Sequence, residues 1–119
     1  MNYSKNKLPT LSAADVYALL TALPLVCLAY TDTPVQAQTN ALLVESVSKK
    51  LEQGVSKIDI NEIRIIYLAL LSAIGCCSGN YDDVIDKSEI SPDWQAELSR
   101  NLFVYTRLLP HFAAYFPDT

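Results

Sequence analysis

The sequence predicts an all-α fold: a compact antiparallel bundle of four helices, or of five if the first divides at Pro24. Three observations predict it. Capping residues stand ahead of each long apolar segment, apolar positions inside those segments return at the spacing of a helix turn, and the connections are short enough for antiparallel neighbours. Strand signals are few. The 119 residues match the usual size of one domain, so the whole chain, 1–119, is read as a single helical unit.

Ser12 with Asp15 three positions on has the pattern of an acidic N-terminal cap, opening a first helix over 13–30. Pro24 interrupts it, because proline offers no backbone N–H and its ring clashes with the carbonyl four residues earlier; a kink or split near Leu23 follows. Thr33-Pro34 pairs a capping hydroxyl with proline at the first helical position, and Gly54 makes a stop, giving a second helix over 34–53. Its apolar residues Leu43, Val44, Val47 and Leu51 share a side, while Glu45, Lys49, Glu52 and Gln53 fall largely opposite. Asp59 with Glu62 opens a third helix over 60–77, in which Ile60, Ile63, Tyr67, Leu70, Ile74 and Cys77 form one stripe. Ile65, Ile66, Leu68, Ala69 and Ala73 cover most of the remaining circumference, so this helix is central or faces a partner. An acidic connector over 79–91 leads to Ser91-Pro92 and a fourth helix over 92–116, with Trp94, Leu98, Leu102, Tyr105, Leu109, Phe112 and Phe116 facing inward. Pro110 kinks its last turn and Pro117 ends the order.

Half of the residues are hydrophobic and 18% are charged, which suits a chain with a core. A net charge of -4, with Lys49-Lys50 as the longest basic run, argues against direct contact with nucleic acid. Two stretches, 16–30 and 65–77, are nearly free of polar residues, but neither reaches the roughly 20 residues that span a bilayer. Val35-Gln36-Ala37 fits a signal-peptide cleavage site only loosely, and Asp15 stands at the mouth of the apolar region, so a folded, uncleaved segment in the cytoplasm is expected.

Adjacent cysteines between Gly75 and Gly79 raise the question of a reactive centre. Cys76 and Cys77 point about 100° apart on a helix, which strains a mutual disulfide and makes shared metal ligation awkward. Cys27, Cys76, Cys77 and the single His111 match no zinc spacing, and an odd cysteine number suits a reducing compartment. The expected role of the pair is packing and helix termination, and a thiol site of Cys76 or Cys77 with His111 requires His111 within hydrogen-bond reach. Tyr81, Asp82, Asp83, Asp86 and Glu89 make the connector the most acidic part of the chain, without the EF-hand pattern. It reads as a solvated loop that offers contacts to a basic partner. No phosphate-binding glycine loop, nucleophile elbow or histidine pair occurs, so no cofactor, no metal and no enzymatic activity are expected.

What remains is an excess of apolar surface. The first and third helices are apolar on nearly every side, and a four-helix monomer encloses at most one such helix. Tyr17, Leu20, Leu28, Ile65, Ile66 and Leu68 are therefore the candidate interface of a non-enzymatic interaction protein, a homodimer or a small accessory or inhibitor subunit. The alternative is a bundle opened by Pro24 and Pro110 around an apolar ligand, lined by Tyr17, Tyr67 and Tyr105. A thiol-dependent enzyme is the third reading.

Overall fold

The computed structural model describes residues 8–55, 57–79 and 84–117. Within them the chain is helical: α1 (Ala13–Ala22), a 3-10 segment (Leu23–Leu28), α2 (Pro34–Glu52), α3 (Ile60–Ser78), a 3-10 turn (Lys87–Glu89), α4 (Pro92–Arg100) and α5 (Leu102–Ala113). The one β-type pairing among the described residues is an isolated antiparallel bridge between Ala29 and Ile85.

Each opening uses its cap. Ser12 accepts from the Asp15 N–H at 3.1 Å while Asp15 accepts from the Ser12 N–H at 3.1 Å, a reciprocal capping box. Asp59 and Glu62 repeat that exchange at α3, and Thr33 and Ser91 accept from the N–H groups of Gln36 and Trp94 ahead of their prolines. Gly79 closes α3 in the left-handed conformation, φ 75°, donating to the Gly75 carbonyl.

The first helix divides where Pro24 predicts: with no N–H there the backbone tightens, α1 ends at Ala22, and residues Leu23–Leu28 continue as a 3-10 segment that buries Leu23, Leu25 and Val26. One boundary departs from the sequence reading. The fourth predicted helix is two, because the chain bends at Asn101, φ -101° and ψ 8°. There the Asn101 amide donates to the Glu97 carbonyl at 2.8 Å, an alternative bond that loosens the regular helix. α5 then runs through Pro110 and stops at Ala113, with Tyr115 and Phe116 held in a turn by bonds to the Phe112 and Ala113 carbonyls.

α3 is the centre, packed by α1, α2, α4, α5 and the 3-10 segment. At 19 residues it is long and apolar enough to cross a bilayer by length and composition, which the shorter apolar run read from the sequence had excluded. Here ten of its residues are buried inside the chain, among them Glu62, Ile63, Ile66 and Leu70. The radius of gyration is 13.7 Å, against about 13.5 Å for a compact chain of this length, so the helices form one tight globule.

Buried polar side chains of the described residues tie the helices together. Glu62 accepts from Ser46 Oγ at 2.6 Å, Lys50 Nζ at 2.8 Å and the Asp59 N–H at 3.0 Å, tying the C-terminal half of α2 to the start of α3. Asp15 pairs with Arg107 and so joins α1 to α5. Tyr105, fully buried, donates to the Ala18 carbonyl at 2.9 Å. Among the described residues no buried side-chain nitrogen or oxygen lacks a partner, as stable interiors require.

Candidate interaction surface

The expected interface is largely withdrawn into the core. Ile65 and Ile66 are buried, and Leu20 and Leu28 pack half-buried against the same cluster. α2, α4, α5 and the 3-10 segment pack around α1 and α3 and cover most of their apolar residues. Tyr17 is half-exposed and its hydroxyl donates to Glu97 at 2.9 Å, a bond to a carboxylate that raises the Tyr17 pKa and lowers that of Glu97, whose Arg100 neighbour lowers it first. Leu68 remains exposed on α3.

Exposed apolar residues lie elsewhere, at Tyr30 and Val84 beside the connector, at Leu102 and Phe103 on α5, and along α2. The buried residues of α2, Val44, Val47 and Leu51, all belong to the C-terminal half, so the N-terminal half stands outside the core. From Thr33 to Val44 there is no charged residue, and residues 31–39 are exposed without interruption. Val35 is 72% exposed and Leu42, two turns on, is 62% exposed. Beside them runs a groove of about 340 Å³ between α2 and α3. Leu43, Ile65 and Leu68 supply its apolar part; Gln36, Thr39, Asn40, Asn61 and Arg64 supply polar groups, none of them acidic. Apart from Arg64 the lining is neutral, with three apolar residues beside Gln36, Thr39, Asn40 and Asn61.

Arg64 has a defined seat. Its guanidinium carbon lies 5.1 Å from the centroid of the Phe116 ring, and Phe116 stacks on Tyr67 at 5.3 Å. The other arginines are paired, Arg100 with Glu97 and Arg107 with Asp15, whereas no carboxylate among the described residues pairs with Arg64.

The remaining candidates are dispersed. Tyr17, Tyr67 and Tyr105 do not line a common cavity: the first is bonded to Glu97 on the surface, the second stacks on Phe116, and the third is sealed against α1. A different pocket of about 210 Å³ lies between the start of the described chain and the end of α2, lined by Leu8, Leu11, Val16, Leu51 and Val55 among others. Cys76 is buried, Cys77 half-buried with its Sγ 4.0 Å from Ser99 Oγ, and Cys27 exposed at the surface, with partial desolvation raising its pKa. His111 is exposed on the last turn of α5, and no hydrogen bond joins it to a cysteine among the described residues. No group of three His, Cys, Asp or Glu that would hold a metal ion occurs among them either.

Tyr81, Asp82 and Asp83 lie outside the described residues. Asp86 is occupied as a cap, accepting from the Ser88 N–H at 3.1 Å, and Glu89 is exposed. The connector is anchored beyond what its acidity suggested: Ile85 is fully buried, and the Tyr30 and Asp86 N–H groups donate to the Val84 and Leu28 carbonyls at 2.9 and 3.1 Å.

Sequence reasoning missed the first half of α2 and Arg64. The signal was present as twelve residues without charge, 33–44, but the helical stripe drew attention to the side that packs. No model of a known protein family, no curated protein and no solved structure matches the chain.

Proposed function

We propose that the protein is a non-enzymatic helical interaction module, a small accessory or inhibitor subunit that docks on another protein through the N-terminal half of α2 and the adjoining face of α3. One observation carries this reading: Val35, Leu42 and Leu68 are exposed on α2 and α3, where a groove lined by Leu43, Ile65 and Leu68 with one cation and no acid separates the two helices. Obligate dimers use larger and more apolar interfaces, and the amides here suit a separable contact better. In this reading the helices form an antiparallel bundle, supported by the way the end of α2 meets the start of α3 through Ser46, Lys50 and Glu62.

The test is selection of binders from a phage-displayed library of random 16-residue peptides against the folded protein. Binders are expected to lose affinity about tenfold or more on Leu42→Asp or Leu68→Asp, with the melting temperature unchanged for Leu42→Asp, whose side chain is 62% exposed. Binders indifferent to both substitutions, or a concentration-stable dimer in light scattering that Leu42→Asp leaves intact, would overturn the assignment.

A second reading, binding of a small apolar molecule, is favoured by the pocket of about 210 Å³. It exceeds the roughly 150 Å³ of an engineered cavity known to admit benzene. Saturable shifts confined to Val16, Leu51 and Val55 on titration with indole would support it.

A further inference from the structure

We infer that the groove between α2 and α3 takes a segment of a partner protein that presents a carboxylate beside an aliphatic side chain, with Arg64 holding the carboxylate. This rests on the interaction reading above and names the partner's chemistry at the same surface.

Three features specify that chemistry. The first is charge: in a chain of net charge -4, the residues lining this groove include one cation and no acid. Among the described residues that line the groove, an incoming carboxylate therefore meets a cation and no acid. The second is the state of the cation. Of the arginines, Arg64 alone has no carboxylate partner among the described residues, yet its guanidinium is not loose, since one face rests over Phe116. No hydrogen bond from the Arg64 guanidinium to a carboxylate is formed among the described residues, and the fork of its N–H donors matches the two oxygens of a carboxylate. A platform made of Phe116 on Tyr67 holds that fork before the partner arrives, so less side-chain entropy is lost on binding.

The third feature is what lies next to the cation. Leu68 follows Arg64 by one helix turn, and with Leu43 and Ile65 it makes an apolar seat on the same groove. Asn40 and Asn61 add neutral donors and acceptors able to bond a main chain. A lone arginine with amides is too little for a nucleic-acid backbone, which needs several cations in register. One carboxylate and one aliphatic side chain within a few ångströms, on one polypeptide segment, satisfy both halves of the site.

The peptides from the selection described above test this directly. Those that Leu68→Asp blocks are expected to share an Asp or Glu within a few residues of a Leu, Ile or Met. Replacing that acid by its amide in the peptide is expected to weaken binding about tenfold, the value of one charge-assisted hydrogen-bonded contact. Arg64→Gln in the protein should weaken the acidic peptide by a similar factor and leave the amide peptide unchanged, while Arg64→Lys retains part of the affinity. The peptide substitution leaves the protein intact, so a fold damaged by loss of the Phe116 contact cannot imitate the result. Peptides that Leu68→Asp blocks but that carry no shared acid, or whose acid is indifferent to Arg64, overturn this inference and leave the interaction surface standing. Failure to obtain any peptide sensitive to Leu42→Asp or Leu68→Asp overturns both.

Discussion

Lys50→Met tests whether the Glu62 node holds α2 to α3. The Glu62 side chain is 2% exposed and that of Lys50 35%, so the substitution strands a carboxylate inside the protein while the lost ammonium had partial access to water. Removing one partner of a buried ion pair costs about 3–5 kcal/mol when nothing else supports the remaining charge. Glu62 keeps the Ser46 hydroxyl at 2.6 Å and the Asp59 N–H at 3.0 Å, and solvent screens part of the original attraction. The expected loss is therefore lower, about 2 kcal/mol at pH 7, or about 8 °C in melting temperature for a chain of this size.

The loss should depend on pH with a definite sign. Burial alone raises the Glu62 pKa, but Lys50, Ser46 and the Asp59 N–H outweigh it and hold the carboxyl below its ordinary 4.5. A carboxyl whose pKa is depressed by folding contributes stability that is fully present above the unfolded value and fades as pH falls through the folded one. Lys50→Met removes the strongest of the lowering contacts, so the gap between the two proteins narrows below about pH 4.5. Urea unfolding at pH 7 and at pH 3.5 measures it. A gap under 0.5 kcal/mol at pH 7, or one that is the same at both pH values, would refute the node as described.

Two further substitutions probe the packing of the core. Tyr105→Phe removes the 2.9 Å bond to the Ala18 carbonyl without opening a cavity, and should cost about 1 kcal/mol in urea unfolding; no loss would mean that the buried hydroxyl does not join α5 to α1. Ile85→Ala empties a fully buried position in a connector and should cost about 2–4 kcal/mol, far more than a solvated loop would show, with calorimetry as the check.

The connector shows how the two levels of description differ. Its acidic residues 82, 83, 86 and 89 drew the sequence reading toward a solvated loop, since charge density is a local property. Ile85 among them is an anchor only because Leu28, Ala29 and Tyr30 pass beside it, a contact across more than fifty residues that no window on the sequence contains. Asn101 makes the complementary point. No proline or glycine marks it, and its bend is visible only where its amide meets the Glu97 carbonyl and where α5 lies most heavily on α3 while α4 divides evenly between α1 and α3.

The sequence by itself determined the helical character of the chain and the openings of its helices. Ser12, Thr33, Asp59 and Ser91 act through N–H groups three residues away, so nothing outside one turn is needed to read them. It determined as well that α3 is the helix most in need of cover, because its apolar residues fill nearly the whole circumference. Only the tertiary structure decided which apolar residues are covered. Ile65 and Leu68 are both aliphatic, sit one turn apart on α3 and line the same groove, yet one is buried and the other exposed. Burial is a property of pairs of elements, and the energy that sets it is gained only when distant segments meet; a capping bond is complete within its own turn.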